Sequence, residues 1–408
     1  MSYHILDKEN LREYLHGIER VRDYLGDADL DVEEIGDGNL NFVFVVTSKS
    51  DPDRGLIVKQ AVPYLRIAGD DFPLSRERMT FEIRALQSAY TLCPENVPEI
   101  YHASEAMSVV VMQYLREHRI MRKGMIDAVV YPDFAEHIST YLAENLFKTS
   151  SLYLDSPAKR RLIDQFNGNT ELCELTENFV FTFAFMDHET NDEGASEHPL
   201  ALELYSDSDF KRSVLELKYK FMTQTDALLH GDLHTGSIML NEQETFVIDP
   251  EFAFVGPMGF DIGALLGNLA MSHASHAAQG TSNDYRAWII QTIVDVIEQF
   301  QSKFRRLWDE HGDSALHVPG YLSADELAAF KERFMLSILQ DSVGFAGCKM
   351  GRRMFGIAGV EDIRGIEDTE TRNAAMADVL RMAKTFVKHH RDVTSVQDVV
   401  ATIEGSTA

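Results

Sequence analysis

Only three cysteines, Cys93, Cys173 and Cys348, occur in 408 residues, far apart and with no CxxC pair. That scarcity excludes a disulfide framework and a cysteine-based zinc site, and it fits a reducing compartment. Basic residues are short as well, with 38 Lys and Arg against 65 Asp and Glu, for a formal charge of -27. Such a charge repels nucleic-acid phosphates and anionic membranes, and no long basic block offsets it. Long apolar runs are missing too. Stretches such as Val109 to Met112 are strand-sized, far from the roughly 20 apolar residues that span a membrane. The opening residues, MSYHILDKENLREYLHGIERV, are mixed polar and lack the apolar core of a secretory signal. The expectation is a soluble cytoplasmic protein with no nucleic-acid or membrane partner. Acidity decides little more, because it suits attraction of a cationic substrate and plain solubility equally.

With 45% hydrophobic residues over this length, the chain exceeds the usual size of one core, so two lobes are expected. Leu11, Tyr14, Leu15, Ile18, Val21 and Leu25 recur at helical spacing and predict one amphipathic helix over residues 7–25. Short β-rich runs then follow at 32–35, 42–47, 56–60, 99–103 and 108–113. Between the third and fourth lies a predicted helix from Ser75, a plausible N-cap, to Tyr90. Beyond Tyr114 the pattern is helical, at 134–147, 158–166, 170–183, 206–229, 262–272, 285–304, 324–343 and 368–389. The exception is a predicted hairpin of Ser237 to Leu240 and Thr245 to Ile248, joined by Asn241 to Glu244. A small β-rich lobe thus precedes a larger helical one, an α+β arrangement.

The hairpin separates the two strongest motifs, His230-Gly231-Asp232-Leu233-His234 and Asp249-Pro250-Glu251. Phosphoryl transfer needs one carboxylate near the attacking hydroxyl and others that hold magnesium across the phosphates. The seventeen positions from Asp232 to Asp249 let one hairpin bring such groups together. Taken singly, these residues would also serve as ordinary caps and turns. In the first lobe, Gly36-Asp37-Gly38-Asn39-Leu40-Asn41-Phe42 lies between two predicted strands. It reads either as a phosphate-cradling glycine loop or as a plain turn. Lys59 stands on the apolar strand Leu56-Ile57-Val58-Lys59, out of keeping with its neighbours. A lysine there can contact nucleotide phosphates while paired to a helix glutamate, for which Glu82 is favoured over Glu77. An edge-strand solubilising charge is the competing reading. By order alone, Met112 at the end of the last strand and Gln113, Tyr114 and Leu115 after it read as a hinge for the adenine edge, and equally as a buried strand entering a loop. Adjacent Arg352 and Arg353, in an otherwise apolar stretch, read on their own as an interior ion pair.

The H-G-D-L-H loop followed by an acidic motif resembles the kinase superfamily, and its form is similar to the aminoglycoside, choline and methylthioribose kinase branch. Two departures from the wider superfamily are visible: Ser237 stands where a metal-binding Asn is usual, and D-P-E replaces D-F-G. Methylthioribose kinases share both, as H-G-D-L-H-T-G-S and D-P-E, and share a paired arginine near the C-terminus. The resemblance implies a protein-kinase-like two-lobe fold, divided into residues 1–114 and 115–408. It implies ATP and Mg2+ as cofactors and 5-methylthioribose as the sugar phosphorylated, at its anomeric hydroxyl, in methionine salvage. Under it Asp232 is the base and also meets the substrate, while Asp249 and Glu251 hold the metal. Asp261 anchors the catalytic loop, and Arg352 and Arg353 contact the sugar or the moving phosphoryl group. A homodimer is also implied. The rival readings are an aminoglycoside- or choline-type kinase, and a nucleotide-binding scaffold without catalysis.

Overall fold

β-Branched residues alternate with others along the first strands, and the pleat sends successive side chains to opposite faces. The computed structural model describes residues 3–26, 29–35, 40–65, 69–311, 316 and 318–407. Two short helices, α1 (Asn10–His16) and α2 (Glu19–Leu25), stand where the periodicity predicts one. The break falls at Gly17, whose poor helix propensity ends the first helix, and at Ile18, which is extended at φ -105°. The strands β1 (Leu30–Glu34), β2 (Asn41–Ser48), β3 (Gly55–Ala61), β4 (Tyr64–Leu65) and β5 (Gly69–Pro73) follow. Next come α3 (Arg78–Leu92), β6 (Ile100–Ser104) and β7 (Val109–Gln113). An antiparallel sheet runs in the order β1-β2-β3-β7-β6, while β4 and β5 form a separate hairpin that the pattern did not announce. Helix α3 begins later than expected: Glu77 is its N-cap, and the Ser75 hydroxyl instead accepts from the Glu77 amide.

Leu56 and Val58 of β3 face a cluster formed with Phe44, Val46 and the leading-helix residues Leu11, Leu15, Val21 and Leu25. The alternate residues Ile57, Lys59 and Ala61 therefore face the other way, towards α3, whose Met79, Ile83 and Leu86 pack against Ala61 and Val110. This alternation puts Lys59 under a helix rather than in solvent.

From β7 the chain runs into β8 (Arg119–Ile120), α4 (Met121–Ile126), α5 (Phe134–Lys148), α6 (Ser156–Phe166), α7 (Thr170–Phe179), α8 (Pro199–Ser206) and α9 (Ser208–Thr223). Then come β9 (Ala227–Leu229), β10 (Ile238–Leu240), β11 (Thr245–Val247), β12 (Phe254–Gly256) and α10 (Gly259–Ala278). The chain ends with α11 (Asn283–Glu310), α12 (Ala324–Phe355), α13 (Glu361–Arg364), α14 (Thr369–His389) and α15 (Val396–Ser406). The predicted hairpin is present as β10 and β11, with β8 added at its edge. The predicted helix over 206–229 is divided: α9 stops at Thr223, and residues 227–229 form a strand paired with β12. The helix predicted over 170–183 stops at Phe179.

Helix α12 is the largest departure, running to Phe355 instead of Val343. Gly344 and Gly347 mark close approach rather than a stop. A Cβ on Gly347 would lie 2.7 Å from the Ala383 carbonyl oxygen in α14. Helix α10 packs on α12 in the same way, since a Cβ on its Gly263 would sit 2.5 Å from the Ser342 carbonyl oxygen. The two backbones approach because one surface has no side chain there. As a result the last two turns of α12 reach the loop that precedes β10. Among the described residues, no helix is long and apolar enough to cross a membrane.

Candidate active site

On the sheet side, Lys59 Nζ donates to Glu82 Oε1 at 2.8 Å, deeply buried, and also pairs with Asp249. Of the two glutamates weighed, the geometry selects Glu82. Glu82, Asp249 and Glu251 each offer a carboxylate oxygen, all within 4.8 Å of one another. Glu251 accepts from Asn41 Nδ2 at 2.9 Å and lies 3.7 Å from Arg78 Nε. Asn169 Nδ2 holds the backbone here, donating to the carbonyls of Glu251 and Ala253. Burial lifts the Glu82 carboxyl above its ordinary range, with Asp249 and Glu251 adding repulsion against the pull of Lys59. Burial and the Asp249 charge also raise Glu251. Burial opposes the charge on Lys59, yet three carboxylates outweigh it and raise its pKa.

Three carboxylates thus face two cations, Lys59 and Arg78, and Glu82 Oε2 has no hydrogen-bond partner among the described residues. This unbalanced, oxygen-only donor set fits a hard divalent cation, with Asp249 45% exposed and so open to solvent.

The His230–Ser237 loop is built on backbone contacts. Asp261, from the first turn of α10, accepts from the amides of His230 at 2.7 Å and Gly231 at 3.0 Å. Gly231 takes φ +84°, and a Cβ there would fall 2.1 Å from the Phe252 carbonyl oxygen, so glycine is required on both counts. His230 accepts the Asp232 amide at Nδ1, so Nε2–H donates to the Ile248 carbonyl at 2.8 Å, tying the loop to the strand before Asp249. These contacts make it an organiser of the loop. Ser237 does not reach the carboxylate cluster, because its hydroxyl donates to the Asp232 carbonyl at 3.0 Å.

Asp232 faces a cationic pocket. Lys349 Nζ is 2.8 Å from Oδ1, and His234 Nε2 is 3.3 Å from Oδ2. His234 accepts the Gly236 amide at Nδ1, which leaves its proton on Nε2. Burial pushes the His234 pKa down to about 4, so the ring is neutral at pH 7. Burial disfavours ionised Asp232, but Lys349 and His234 overcome it and hold the carboxyl well below the usual range. Arg352 and Arg353 lie buried on the same end of α12, and both act electrostatically on Asp232. Each donates to a carbonyl beyond the helix, Arg352 to Ile357 and Arg353 to Ala358. Among the described residues, no carboxylate forms an ion pair with either, which leaves the interior-bridge reading without a partner. Arg122 joins the cluster from α4, 3.2 Å from Asp362 and 2.9 Å from the Asn268 amide oxygen.

Of the residues singled out in the sequence, Asn41, Lys59, Glu82, Asp249 and Glu251 meet in one cluster, while Asp232, Arg352 and Arg353 meet in another. Met112 ends β7 with Gln113, and Tyr114 and Leu115 follow as the chain leaves the sheet. Gly36, Gly38 and Asn39 lie outside the described residues. Lys349, His234 and Arg122 were not assigned from sequence. For Lys349 a signal existed, a lysine in an apolar run one turn before the arginine pair.

A profile of the Phosphotransferase enzyme family matches residues 31–288. Methylthioribose kinase 1 of Oryza sativa subsp. japonica is 42% identical over 98% of this chain and 95% of its own. The methylthioribose kinase of Escherichia coli O45:K1 is 38% identical over 90% of this chain and 89% of its own. That of Geobacillus kaustophilus is 38% identical over 90% and 88%. Matches of this identity over nearly the full length show that the chain belongs to the methylthioribose kinase family, within the phosphotransferase enzymes.

Proposed function

We propose that this protein transfers the γ-phosphoryl group of ATP to the anomeric hydroxyl of 5-methylthioribose, giving the 1-phosphate and ADP in methionine salvage. The observation that carries this reading is the pairing of a buried acidic cluster with Asp232 in a pocket of Lys349, Arg352 and Arg353. A cationic substrate would be repelled by that pocket, whereas a neutral sugar that becomes a phosphate ester suits it. The test is ADP release with methylthioribose, choline and kanamycin in parallel. Release with methylthioribose alone is expected; release with either cation instead would overturn the assignment.

In the proposed reaction Asp232 orients the hydroxyl and accepts its proton as the new O–P bond forms. Lys59, oriented by Glu82, steadies the α- and β-phosphates. Nucleotide binding is assigned to Gly36, Gly38, Asn39 and Asn41, and the adenine to residues Met112 to Leu115. Asp249 and Glu251 would hold Mg2+. When bound, that ion would neutralise charge on the phosphate oxygens. Arg352 and Arg353 offset charge on the phosphoryl group in transit. We assign the lobes to residues 1–114 and 115–408, and the location to the cytoplasm, with a homodimer as the assembly.

Glu251→Gln keeps the shape but removes one negative oxygen, so the Mg2+ concentration for half-maximal rate should rise. Titration of rate against Mg2+ checks this, and an unchanged requirement would assign Glu251 a structural role only. Replacing Arg352 or Arg353 with Ala should raise the sugar KM and lower kcat, on the order of 10- to 10²-fold in kcat/KM, with ATP binding kept. Lysine at these positions should not restore it, because the planar fork is lost.

A further inference from the structure

Lys349 lies 117 residues from Asp232 in sequence, yet its ammonium is delivered to the carboxylate by the close packing of α10 and α12. The lysine side chain is 4% exposed, with the Phe260 ring 4.5 Å below the ammonium. A buried ammonium is costly unless it is paired, and neither motif of the catalytic loop supplies a reason for it. Its partner is not sealed in, because Asp232 keeps 22% of its side chain exposed while the ammonium fastens Oδ1. His234 Nε2–H takes one lone pair of Oδ2, at 3.3 Å, which leaves the second lone pair of that oxygen available.

We propose that Lys349 is a positioning residue for phosphoryl transfer, fixing Asp232 through Oδ1 so that Oδ2 meets the sugar hydroxyl. This rests on the assignment of Asp232 as the base. In the step, the sugar oxygen bonds to the γ-phosphorus while the bond from that phosphorus to the β,γ-bridging oxygen breaks. The electron pair of the broken bond leaves on ADP, the hydroxyl proton passes to Oδ2, and Lys349 keeps its own protons throughout. The remaining charged and titratable groups facing this carboxylate are His234 in the loop, Arg352 and Arg353 on α12, and Arg122 on α4 near His234. They counter its charge without holding Oδ1.

The full-length protein is compared with Lys349→Met, Asp232→Asn and the double variant. Each is measured for kcat, both KM values, ATP affinity and the pH profile. Lys349→Met should lower kcat on the order of 10²-fold, with ATP affinity within about threefold. Its acidic limb should move to higher pH, because Asp232 then protonates more readily. The double variant should be no slower than Asp232→Asn, since Lys349 acts only through Asp232. If Lys349→Met turns over within about threefold of the parent, or the double is about tenfold slower than Asp232→Asn, the positioning role is overturned while the base stands. If Asp232→Asn itself is near normal, the base assignment falls and this inference with it. Should Lys349→Met not fold, the double variant carries no charge at either position, and its comparison with Asp232→Asn alone gives the same decision.

Discussion

Asp232→Asn should lower turnover by roughly 10²- to 10⁴-fold while leaving ATP affinity nearly unchanged. The amide keeps the volume and one acceptor oxygen for Lys349, but it offers no basic oxygen to the hydroxyl proton. ATP affinity should be spared because Lys59, Glu82 and Asp249, proposed above to serve the nucleotide and its metal, form a separate cluster across the hairpin. The deficit should be similar at pH 6 and pH 8. Lys349 and His234 hold Asp232 well below the usual carboxylate range, so this carboxylate is ionised at both values in the parent. Single-turnover rates and an independent ATP titration check the expectation. Turnover within threefold of the parent would remove Asp232 from the chemistry.

Asp261→Ala should damage both stability and rate. Its two oxygens accept the amides of His230 and Gly231 in a buried position, and truncation leaves both donors without acceptors. An unsatisfied buried donor costs about 1–3 kcal/mol, so the pair amounts to roughly 2–6 kcal/mol if the loop does not relax. Relaxation would recover part of that energy by moving Asp232, so a small loss of stability should come with a large loss of turnover. Asp261→Asn retains one acceptor and should fall between. Thermal unfolding and kcat measured on the same samples test this, and a variant normal in both would show that the loop holds its shape without α10.

The part of the site legible in the sequence is the part closed by short chain segments. A separation of seventeen positions from Asp232 to Asp249 allows little besides a hairpin, and β10 and β11 supply it. Lys59 was conspicuous because a charge in an apolar strand needs a partner, and period-two alternation puts it on the α3 face with Glu82. The five runs of the first sheet were visible for the same reason, their pattern being local. The short hairpin of β4 and β5 was not, since two-residue pairing leaves no periodic signal.

Tertiary packing decided the rest. The break of the leading helix at Gly17 is the exception, a local effect of glycine's poor helix propensity that the continuing apolar periodicity masked. Residues 227–229 became a strand because β12 offers them a partner, although their apolar run suits a helix as well. Gly344 and Gly347 carry the same chemistry as helix stops, and only the nearness of neighbouring elements makes them points of close approach inside α12. Continuing that helix by twelve residues carries Lys349, Arg352 and Arg353 to Asp232. Sequence alone marked the acidic half, with Asp249 and Glu251 held just beyond one hairpin by covalent spacing and Lys59 turned by strand alternation towards α3 and its Glu82, although packing of the lobes brings the two sets together. The cationic half was decided by how closely two helix backbones pack, a distance set by side chains missing from the α10 surface at Gly259, Gly263 and Gly267 rather than by any spacing along the chain.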